Sequence, residues 1–309
     1  MAGRVMIYLL ILLAVIITIP LIIEARRKPM NAAARRDASG DFATLSQGVT
    51  HYEWLGPVRG PVAVCVHGLT MPSFVWRGLA GGLARLGFRV LIYDLYGRGY
   101  SDRVRGRQDR AFFLRQLDDL LTSQQVTGDF TLIGYSMGGA IATAFTSAHP
   151  DKVRHLILLA SAGMGTKAGA LTRLIADTPV IGDWLMLALF ARRHHKTTES
   201  GRNLPSSVEN VVDLQQNELR YRGFIPAVLA SMRGILSEVM KQDHKTIHRA
   251  GIPVLAIWGR DDVIIPLTAM GTLTEWSRHA RQEVIDGLTY THTDAVLAAI
   301  SIMLRDGPT

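Results

Sequence analysis

Short, uninterrupted apolar runs separated by longer amphipathic segments constrain the fold of this chain most. The runs are rich in valine, isoleucine and leucine, and they occupy Val62–Val66, Arg89–Tyr93, Thr131–Ile133 and His155–Ala160. Because their apolar residues are continuous rather than alternating, they are typical of strands that are covered on both faces of a sheet. Helical patterns lie between them, at Trp76–Leu86, Ala111–Gln125 and Gly138–Ala148. This alternation predicts an α/β fold with a mostly parallel, doubly wound sheet.

Residues 163–245 interrupt the alternation, which then resumes. The later elements are predicted at Val254–Trp258, Thr268–His279, Glu283–Ile285 and Thr293–Leu304. The interrupting segment is mostly helical in pattern and rich in methionine, leucine and phenylalanine. Since it falls between two strand-turn units, it predicts a helical lid over the carboxyl edge of the sheet, where open α/β sheets bind ligands. The alternative is that these helices only pack the core. We expect residues 49–309 to form one domain that contains the lid.

A nearly unbroken apolar run of 19 residues, Val5–Ile23, lies near the N-terminus and is interrupted only by Tyr8, Thr18 and Pro20. A helix of this length, rising about 1.5 Å per residue, matches a bilayer core of about 30 Å. We therefore predict a membrane anchor at residues 1–24. A cleaved signal peptide is the alternative, although its apolar region is usually only about 7 to 15 residues long.

Five basic residues follow the apolar run within a short distance. They are Arg26, Arg27, Lys28, Arg35 and Arg36, and the whole chain has a net charge of +8. A basic cluster directly after an apolar segment indicates attraction to anionic lipid headgroups, so we predict a membrane contact and no nucleic-acid partner. Residues 25–48 are accordingly predicted to be a basic juxtamembrane linker. The positive-inside rule then places the following domain in the cytoplasm.

A glycine-rich hexapeptide, Gly134-Tyr135-Ser136-Met137-Gly138-Gly139, follows one predicted strand and precedes a predicted helix. A nucleophile on such a strand-to-helix bend has an exposed side chain, and the bend has room only for small residues two positions before and after it. Gly134 and Gly138 occupy those two positions. The pattern therefore predicts Ser136 as a nucleophile, and a coincidental glycine turn is the alternative.

A His67-Gly68 pair directly follows the Val62–Val66 run. Together with the hexapeptide around Ser136, it resembles the α/β-hydrolase family, most closely its esterase and monoacylglycerol-lipase branch, over residues 50–165 and 245–305. The resemblance implies that the backbone N–H groups of Leu69 and Met137 form an oxyanion hole. It also implies ester hydrolysis through an acyl-enzyme on the serine, with no cofactor and no metal ion.

The general base and its acidic partner follow the serine in the chain of such enzymes. By the resemblance, the acid is Asp262, the third residue after Gly259, and Asp261 is the alternative. His292 follows the last predicted strand and precedes the last predicted helix, so it is the candidate base. Thr291 departs from the small residue that the family usually has before this histidine.

Other polar motifs receive structural interpretations. His279 falls in a predicted helix and His248 precedes the strand of the acid, so both are weaker candidates for the base than His292. His67 lies before the serine in the chain and is predicted to shape its loop. Residues 94–101 resemble the D-x-x-G-x-G-x-S turn of the family, in which glycines permit a tight turn and Asp94 caps local backbone. A phosphate-binding loop is the alternative for that turn.

The expected substrate follows from the anchor, the basic residues and the apolar lid. These features favour an apolar molecule at a lipid interface, so we expect a small-molecule acyl ester or a lipid, such as a monoacylglycerol or a lysolipid. The same triad also supports hydrolysis of thioesters, lactones and carbon–carbon bonds. A non-catalytic binding protein with the same fold is a further alternative, since a fold alone does not define an activity.

Overall fold

An eight-stranded sheet forms the centre of the computed structural model, which describes residues 2–165, 169–287 and 291–306. Its strands are β1 (Asp41–Leu45), β2 (Gly48–Leu55), β3 (Val62–Val66), β4 (Arg89–Tyr93), β5 (Phe130–Tyr135), β6 (Val153–Leu159), β7 (Val254–Gly259) and β8 (Arg281–Ile285). They are arranged in the order β1-β2-β4-β3-β5-β6-β7-β8. Only the β1–β2 and β2–β4 pairs are antiparallel. The predicted mostly parallel sheet is therefore confirmed.

The helices of the described residues are α1 (Ala2–Arg26), α2 (Arg77–Arg85), α3 (Arg110–Ser123), α4 (Met137–Ala148), α5 (Ala170–Asp177), α6 (Ile181–Ser200), α7 (Val211–Asn217), α8 (Phe224–Arg233), α9 (Lys241–Arg249), α10 (Thr268–Trp276) and α11 (Thr293–Asp306). Six of them, α2, α3, α4, α9, α10 and α11, cover the two faces of the sheet. Side chains of β3 alternate between two cores: Val64 and Val66 pack with α3, α4, α9 and α10, whereas Ala63 and Cys65 pack with α2 and α11. Because β3 is buried on both faces, its sequence is continuously apolar.

Strand β1 lies within the segment for which the sequence indicates a linker. It pairs antiparallel with β2, from Asp41 opposite Tyr52 to Leu45 opposite Gly48. Its side chains are exposed or half-buried, as on a strand with a neighbour on one side only. An edge strand needs few buried apolar residues, because backbone pairing with β2 holds it in place. The apolar pattern is consequently absent from this strand.

Five helices, α5 to α9, lie between β6 and β7 in the chain. Helices α5, α6 and α8 share a small core of their own, which consists of Ile175, Met186, Phe224, Ile225, Val228 and Leu229. Leu69, just beyond β3, packs against this core, so the inserted helices lie over the carboxyl end of that strand. Helix α9 instead packs on the sheet layer, since its Ile247 belongs to the core that contains α4.

The N-terminal helix α1 is apolar on all sides and largely uncovered. Its large apolar side chains from Val5 to Ile23 are 44% to 69% exposed. Such a helix is long and apolar enough to cross a membrane, and a signal sequence has the same properties. Its C-terminal end is attached to the insertion: the buried Glu24 carboxylate accepts the Gly223 N–H at 2.6 Å, and the Lys28 N–H donates to the Arg220 carbonyl at 3.0 Å.

One buried histidine makes the stability of the fold depend on pH. Within the described residues, neither ring nitrogen of His244, on α9, has a hydrogen-bond partner. Burial lowers its pKa to about 4 from an ordinary value of 6.5. Because the unfolded chain binds a proton on this ring at a pH where the folded chain does not, stability is lost as the pH falls from 6.5 towards 4.

We expect His244→Phe to weaken this loss of stability in acid. Between pH 7 and pH 5 the wild type should lose about 2 kcal/mol of unfolding free energy more than the variant does. Urea denaturation at the two pH values measures the difference. The variant His195→Asn, at an exposed position of α6, is the control and should lose as much as the wild type. Equal losses in His244→Phe and the wild type would contradict the prediction.

Candidate active site

Ser136 occupies the bend between β5 and α4. Its backbone has φ +53° and ψ −117°, a region that residues with a Cβ rarely adopt. The Ser136 N–H donates to the Leu159 carbonyl of β6 at 2.9 Å, and the Ser136 carbonyl accepts from Gly139 and Ala162 at 2.9 and 3.0 Å. Strain of this kind costs about 1 to 3 kcal/mol and persists only where the surroundings enforce it. The bend therefore has the property expected of a nucleophile turn.

The flanking glycines leave no space for side chains. A Cβ on Gly134 would clash with the Gly138 carbonyl and lie 2.6 Å from the Gly139 Cα. A Cβ on Gly138 would clash with the Val66 carbonyl and lie 2.5 Å from the His67 carbonyl oxygen. Backbone atoms, rather than flexible side chains, define these limits. The close approach of three backbone segments is thus the reason for the glycines.

The loop after β3 lies directly against the serine. A Cβ on Gly68 would be 3.3 Å from the Ser136 Cβ. The Leu95 N–H donates to His67 Nε2 at 2.9 Å, so the His67 proton is on Nδ1, which donates to the Gly68 carbonyl at 2.7 Å. Burial lowers the pKa of His67 to about 4 and keeps the ring neutral. Because the Gly68–Leu69 peptide is trans, its N–H points away from the His67 ring.

The two predicted oxyanion donors therefore belong to segments on either side of Ser136. His67 holds the peptide that carries the Leu69 N–H, which agrees with its predicted role in shaping the loop. Met137 is buried and is the first residue of α4. The first N–H groups of a helix have no acceptor within the helix, and the helix dipole favours negative charge there. The role of the Leu69 and Met137 N–H groups as an oxyanion hole stays a prediction.

The predicted acid and base follow the ends of β7 and β8. Asp262 is half-buried, and its Oδ1 accepts the N–H groups of Ile264 and Ile265 at 2.8 and 2.9 Å. His292 directly precedes α11, its Nδ1 lies 2.7 Å from the Thr291 hydroxyl, and a Cβ on Gly287 would lie 2.5 Å from the same nitrogen. Ser136, Asp262 and His292 thus share the carboxyl edge of the sheet. The proton-transfer contacts among them stay a prediction.

The weaker candidates for the base lie at the opposite edge. The rings of His248 and His279 are 4.6 Å apart, and they line a cavity with Val254 and Arg281. Those two residues are the first of β7 and β8, whereas Ser136 follows the last residue of β5. Since these strands are parallel, neither histidine is at the edge that carries the serine.

Asp94 is the centre of a buried polar cluster that organises the turn after β4. Its carboxylate accepts the N–H groups of Ser73 at 2.8 Å and Tyr100 at 2.9 Å, and it bonds to His51 Nδ1 at 2.8 Å. Burial alone would raise the Asp94 pKa, but these bonds, with that from His51 the strongest, lower it well below its ordinary value. The predicted backbone-capping role of Asp94 agrees with these bonds, whereas His51 carried no signal in the sequence.

A doubly wound sheet with a serine at a strained strand-to-helix bend is the arrangement of the alpha/beta hydrolase fold. Residues 61–288 match the family described as alpha/beta hydrolase fold, and the chain belongs to this family. The match includes Ser136, Asp262 and both candidate oxyanion residues and ends shortly before His292.

Two relatives that match most of this chain are named as hydrolases. The chain is 29% identical over 245 residues to the pimeloyl-[acyl-carrier protein] methyl ester esterase of Nitrosomonas europaea, covering 75% of this chain and 88% of that protein. It is 29% identical over 208 residues to the 2-hydroxymuconate semialdehyde hydrolase of Pseudomonas putida, covering 63% and 68% of the two chains. A Mycobacterium tuberculosis protein, named only as uncharacterized, is 28% identical over 67% of this chain, and the match spans 63% of that protein's length. These relatives support hydrolase activity.

Solved structures share the fold at lower sequence identity. An esterase from Thermogutta terrifontis is 21% identical, with a TM-score of 0.70 over 88% of this chain and 100% of that chain. A membrane phospholipase A, described as a bacterial virulence factor, is 17% identical, with a TM-score of 0.70 over 98% of both chains. At that coverage most of α1 lies within the matched part of the chain.

Proposed function

We propose that this protein is a membrane-anchored serine hydrolase that cleaves carboxylic esters through an acyl-enzyme. The Ser136 hydroxyl attacks the ester carbonyl, while His292 accepts its proton and Asp262 orients the imidazole. The N–H groups of Leu69 and Met137 stabilise the oxyanion that forms. His292 then protonates the departing alcohol, and a water molecule activated by the same ring hydrolyses the acyl-enzyme.

The observation that carries this proposal is the backbone of Ser136. A non-glycine residue at φ +53° and ψ −117° is held by three backbone hydrogen bonds, and the His67–Leu69 loop lies against it. A purely structural turn would be less costly with glycine at this position. The retained serine therefore favours catalysis over a non-catalytic binding role.

The proposed substrate is an ester of a medium or long acyl chain, such as a monoacylglycerol or a lysolipid. Helix α1 exposes apolar side chains on all sides, which favours a membrane anchor. The inserted helices contact this anchor, since Trp184 Nε1 donates to the Ile17 carbonyl at 3.1 Å. The insertion thus lies against the anchor itself, so that an acyl chain could enter the site from the surrounding lipid.

A basic groove at the same junction supports an anionic membrane surface. The groove has a volume of about 790 Å³ and is lined by Arg27, Arg192, His195 and Lys196 together with apolar side chains. Glu199 also lines the groove, and its Oε1 forms an ion pair with Arg202 Nε at 2.7 Å. Cations at the end of an anchor favour anionic headgroups. Of the basic run 192–196, His194 differs, because it stacks on Phe190 inside the insertion.

Labelling by a fluorophosphonate probe tests the enzymatic part of the proposal. The full chain in detergent should be labelled, and Ser136→Ala should not be. Competition with p-nitrophenyl esters from acetate to palmitate then tests the acyl chain, and octanoate or longer should compete best. If the wild type is labelled but p-nitrophenyl acetate competes best, the protein is a serine hydrolase and the proposed lipid substrate is wrong. An unlabelled wild type would reject both.

The relative from Pseudomonas putida favours one second candidate, the hydrolysis of a carbon–carbon bond by the same residues. That reaction uses the same oxyanion hole but a different leaving group. A panel that adds a vinylogous 1,5-diketone, a thioester and a lactone to the esters separates the candidates by kcat/KM. The ester proposal requires the largest kcat/KM among these compounds to belong to an ester.

The acid of the triad can be identified by a matched pair of substitutions. We expect Asp262→Asn to lower kcat/KM by about 10³- to 10⁴-fold, because the imidazole loses the carboxylate that fixes its tautomer. The asparagine Oδ1 can still accept the N–H groups of Ile264 and Ile265. The exposed Asp261 is the control, and Asp261→Asn should remain within about threefold of the wild type. The reverse ranking would assign the role to Asp261.

The orientation of the domain follows from the basic residues after the anchor. We propose that the catalytic domain is cytoplasmic, as the positive-inside rule indicates. Protease treatment of sealed inside-out and right-side-out vesicles tests this, and only the inside-out vesicles should release the domain. Digestion in right-side-out vesicles would place the enzyme outside the cell.

A further inference from the structure

Arg98 lies in the turn after β4 and is fully buried, yet the proposed reaction gives it no role. Its Nε donates to the Leu69 carbonyl at 3.1 Å. Its Nη1 donates to the Tyr96 carbonyl at 2.9 Å and to Gln108 Oε1 at 2.6 Å. Its Nη2 donates to the Ala227 carbonyl at 3.2 Å and to the Ser231 hydroxyl at 2.8 Å. The five N–H groups of a guanidinium are thus all engaged.

These bonds hold the loop of residues 67–69, the oxyanion loop, at the peptide next to the one that His67 holds. His67 holds the carbonyl of the peptide before the Leu69 Cα, and Arg98 holds the carbonyl of the peptide after it. With both flanking peptides held, the backbone dihedral angles of Leu69 are fixed. The direction of the Leu69 N–H therefore depends on Arg98 as well as on His67.

The same guanidinium is bonded to the insertion. Ala227 and Ser231 are one turn apart on α8, and both face Arg98. A planar guanidinium bonded in this way holds its partners in a fixed relative position, because its donors have a fixed geometry. Arg98 remains charged at neutral pH, since burial lowers its pKa only to about 9. Helix α8 and the oxyanion loop are consequently joined through one side chain.

We propose that Arg98 is a positioning residue that ties the oxyanion loop to helix α8, so that the oxyanion hole is complete only while α8 is seated. This rests on the proposed function, in which Leu69 supplies one oxyanion donor. A displaced donor reduces the stabilisation of the transition state more than it reduces the affinity for the substrate. The proposal therefore concerns kcat rather than KM.

Two variants of the full chain in detergent test the two ends of this connection. Arg98→Lys keeps the charge but loses the planar fork that reaches Leu69 and α8. Ser231→Ala removes a contact on α8 and leaves Leu69 unaltered. With p-nitrophenyl octanoate as substrate, we expect Arg98→Lys to lower kcat by about 10- to 100-fold at a KM within about threefold of the wild type. Ser231→Ala should change kcat in the same direction by about 3- to 10-fold.

An alkyl trifluoromethyl ketone supplies a readout that a merely structural role would not change. It adds to the serine as a tetrahedral oxyanion, so its inhibition constant should rise by the same factor as kcat falls. Arg103→Lys is the matched control, because Arg103 is a half-buried arginine just after the same turn and bonds to the Ser101 and Gly99 carbonyls. It should lower the melting temperature while leaving kcat and the ketone affinity near their wild-type values.

Wild-type kcat and ketone affinity in a folded Arg98→Lys would overturn the positioning role. Wild-type kcat in Ser231→Ala would overturn the connection to α8, and this variant still decides the matter if Arg98→Lys does not fold. Failure of fluorophosphonate to label the wild type would reject the proposed function itself, whereas labelling together with unchanged variants would reject only the present inference.

Discussion

Ser136→Gly is expected to abolish hydrolysis and, at the same time, to stabilise the fold. The loss of the nucleophile should lower kcat/KM by at least about 10⁴-fold. The backbone at φ +53° and ψ −117° is strained for a residue with a Cβ but accessible to glycine. Relief of that strain is worth about 1 to 3 kcal/mol, and the greater freedom of glycine in the unfolded chain offsets part of it. A net gain of about 1 kcal/mol should remain.

Ser136→Ala is the matched control for this prediction. It loses the hydroxyl but retains the Cβ, so it should be as inactive as the glycine variant without the gain in stability. Hydrolysis of p-nitrophenyl octanoate and urea denaturation measure the two effects separately. If the alanine variant proved the more stable of the two, the bend at Ser136 would not be strained. Residual activity in both variants would place the nucleophile elsewhere.

Gly138→Ala should destabilise the fold by at least about 3 kcal/mol, enough to prevent folding of a domain of ordinary stability. The added Cβ would clash with the Val66 carbonyl and lie 2.5 Å from the His67 carbonyl oxygen. These are backbone atoms at the end of β3, which is hydrogen-bonded to β4 and β5 on its two sides. Neither segment can withdraw without breaking sheet bonds or displacing the oxyanion loop.

A glycine in another helix provides the comparison. Gly271 lies on the exposed side of α10, and a Cβ there would meet no atom within 4 Å. Gly271→Ala should therefore stabilise the protein by about 0.5 to 1 kcal/mol. Urea denaturation of the two variants should give changes of opposite sign. A stable, active Gly138→Ala protein would show that β3 and α4 are not in close contact.

The sheet could be predicted from the sequence because burial on both faces leaves a continuous apolar signal. Val62–Val66 and Arg89–Tyr93 are strands with the predicted bounds. Strand β1 gave no such signal, since pairing with β2 holds it and its side chains are exposed or half-buried. The helices of the insertion could be expected from composition, but their shared core could not, because it is assembled from separate segments.

The site shows the same division between local and distant information. Ser136 could be proposed as the nucleophile because the glycines that flank it in sequence, Gly134 and Gly138, also lie against each other in space. Arg98 could not, since its partner Ser231 is 133 positions away. Tertiary contacts of this kind leave no periodic pattern and no motif in one sequence. The buried pair of His51 and Asp94, which are 43 positions apart, escaped prediction for the same reason.

The last turn of α1 has a consequence for preparing a soluble form of this protein. The Glu24 carboxylate accepts the Gly223 N–H. The Lys28 N–H donates to the Arg220 carbonyl, and the Lys28 carbonyl accepts the Arg222 N–H. A polypeptide that lacks residues 1–28 would expose the N-terminal end of α8. It would also lose the Glu24 carboxylate and the Lys28 carbonyl, which accept the N–H groups of Gly223 and Arg222. Deletions intended for crystallisation should therefore stop before Glu24, so that the domain retains the short segment of residues 24–28 that holds the N-terminal end of α8.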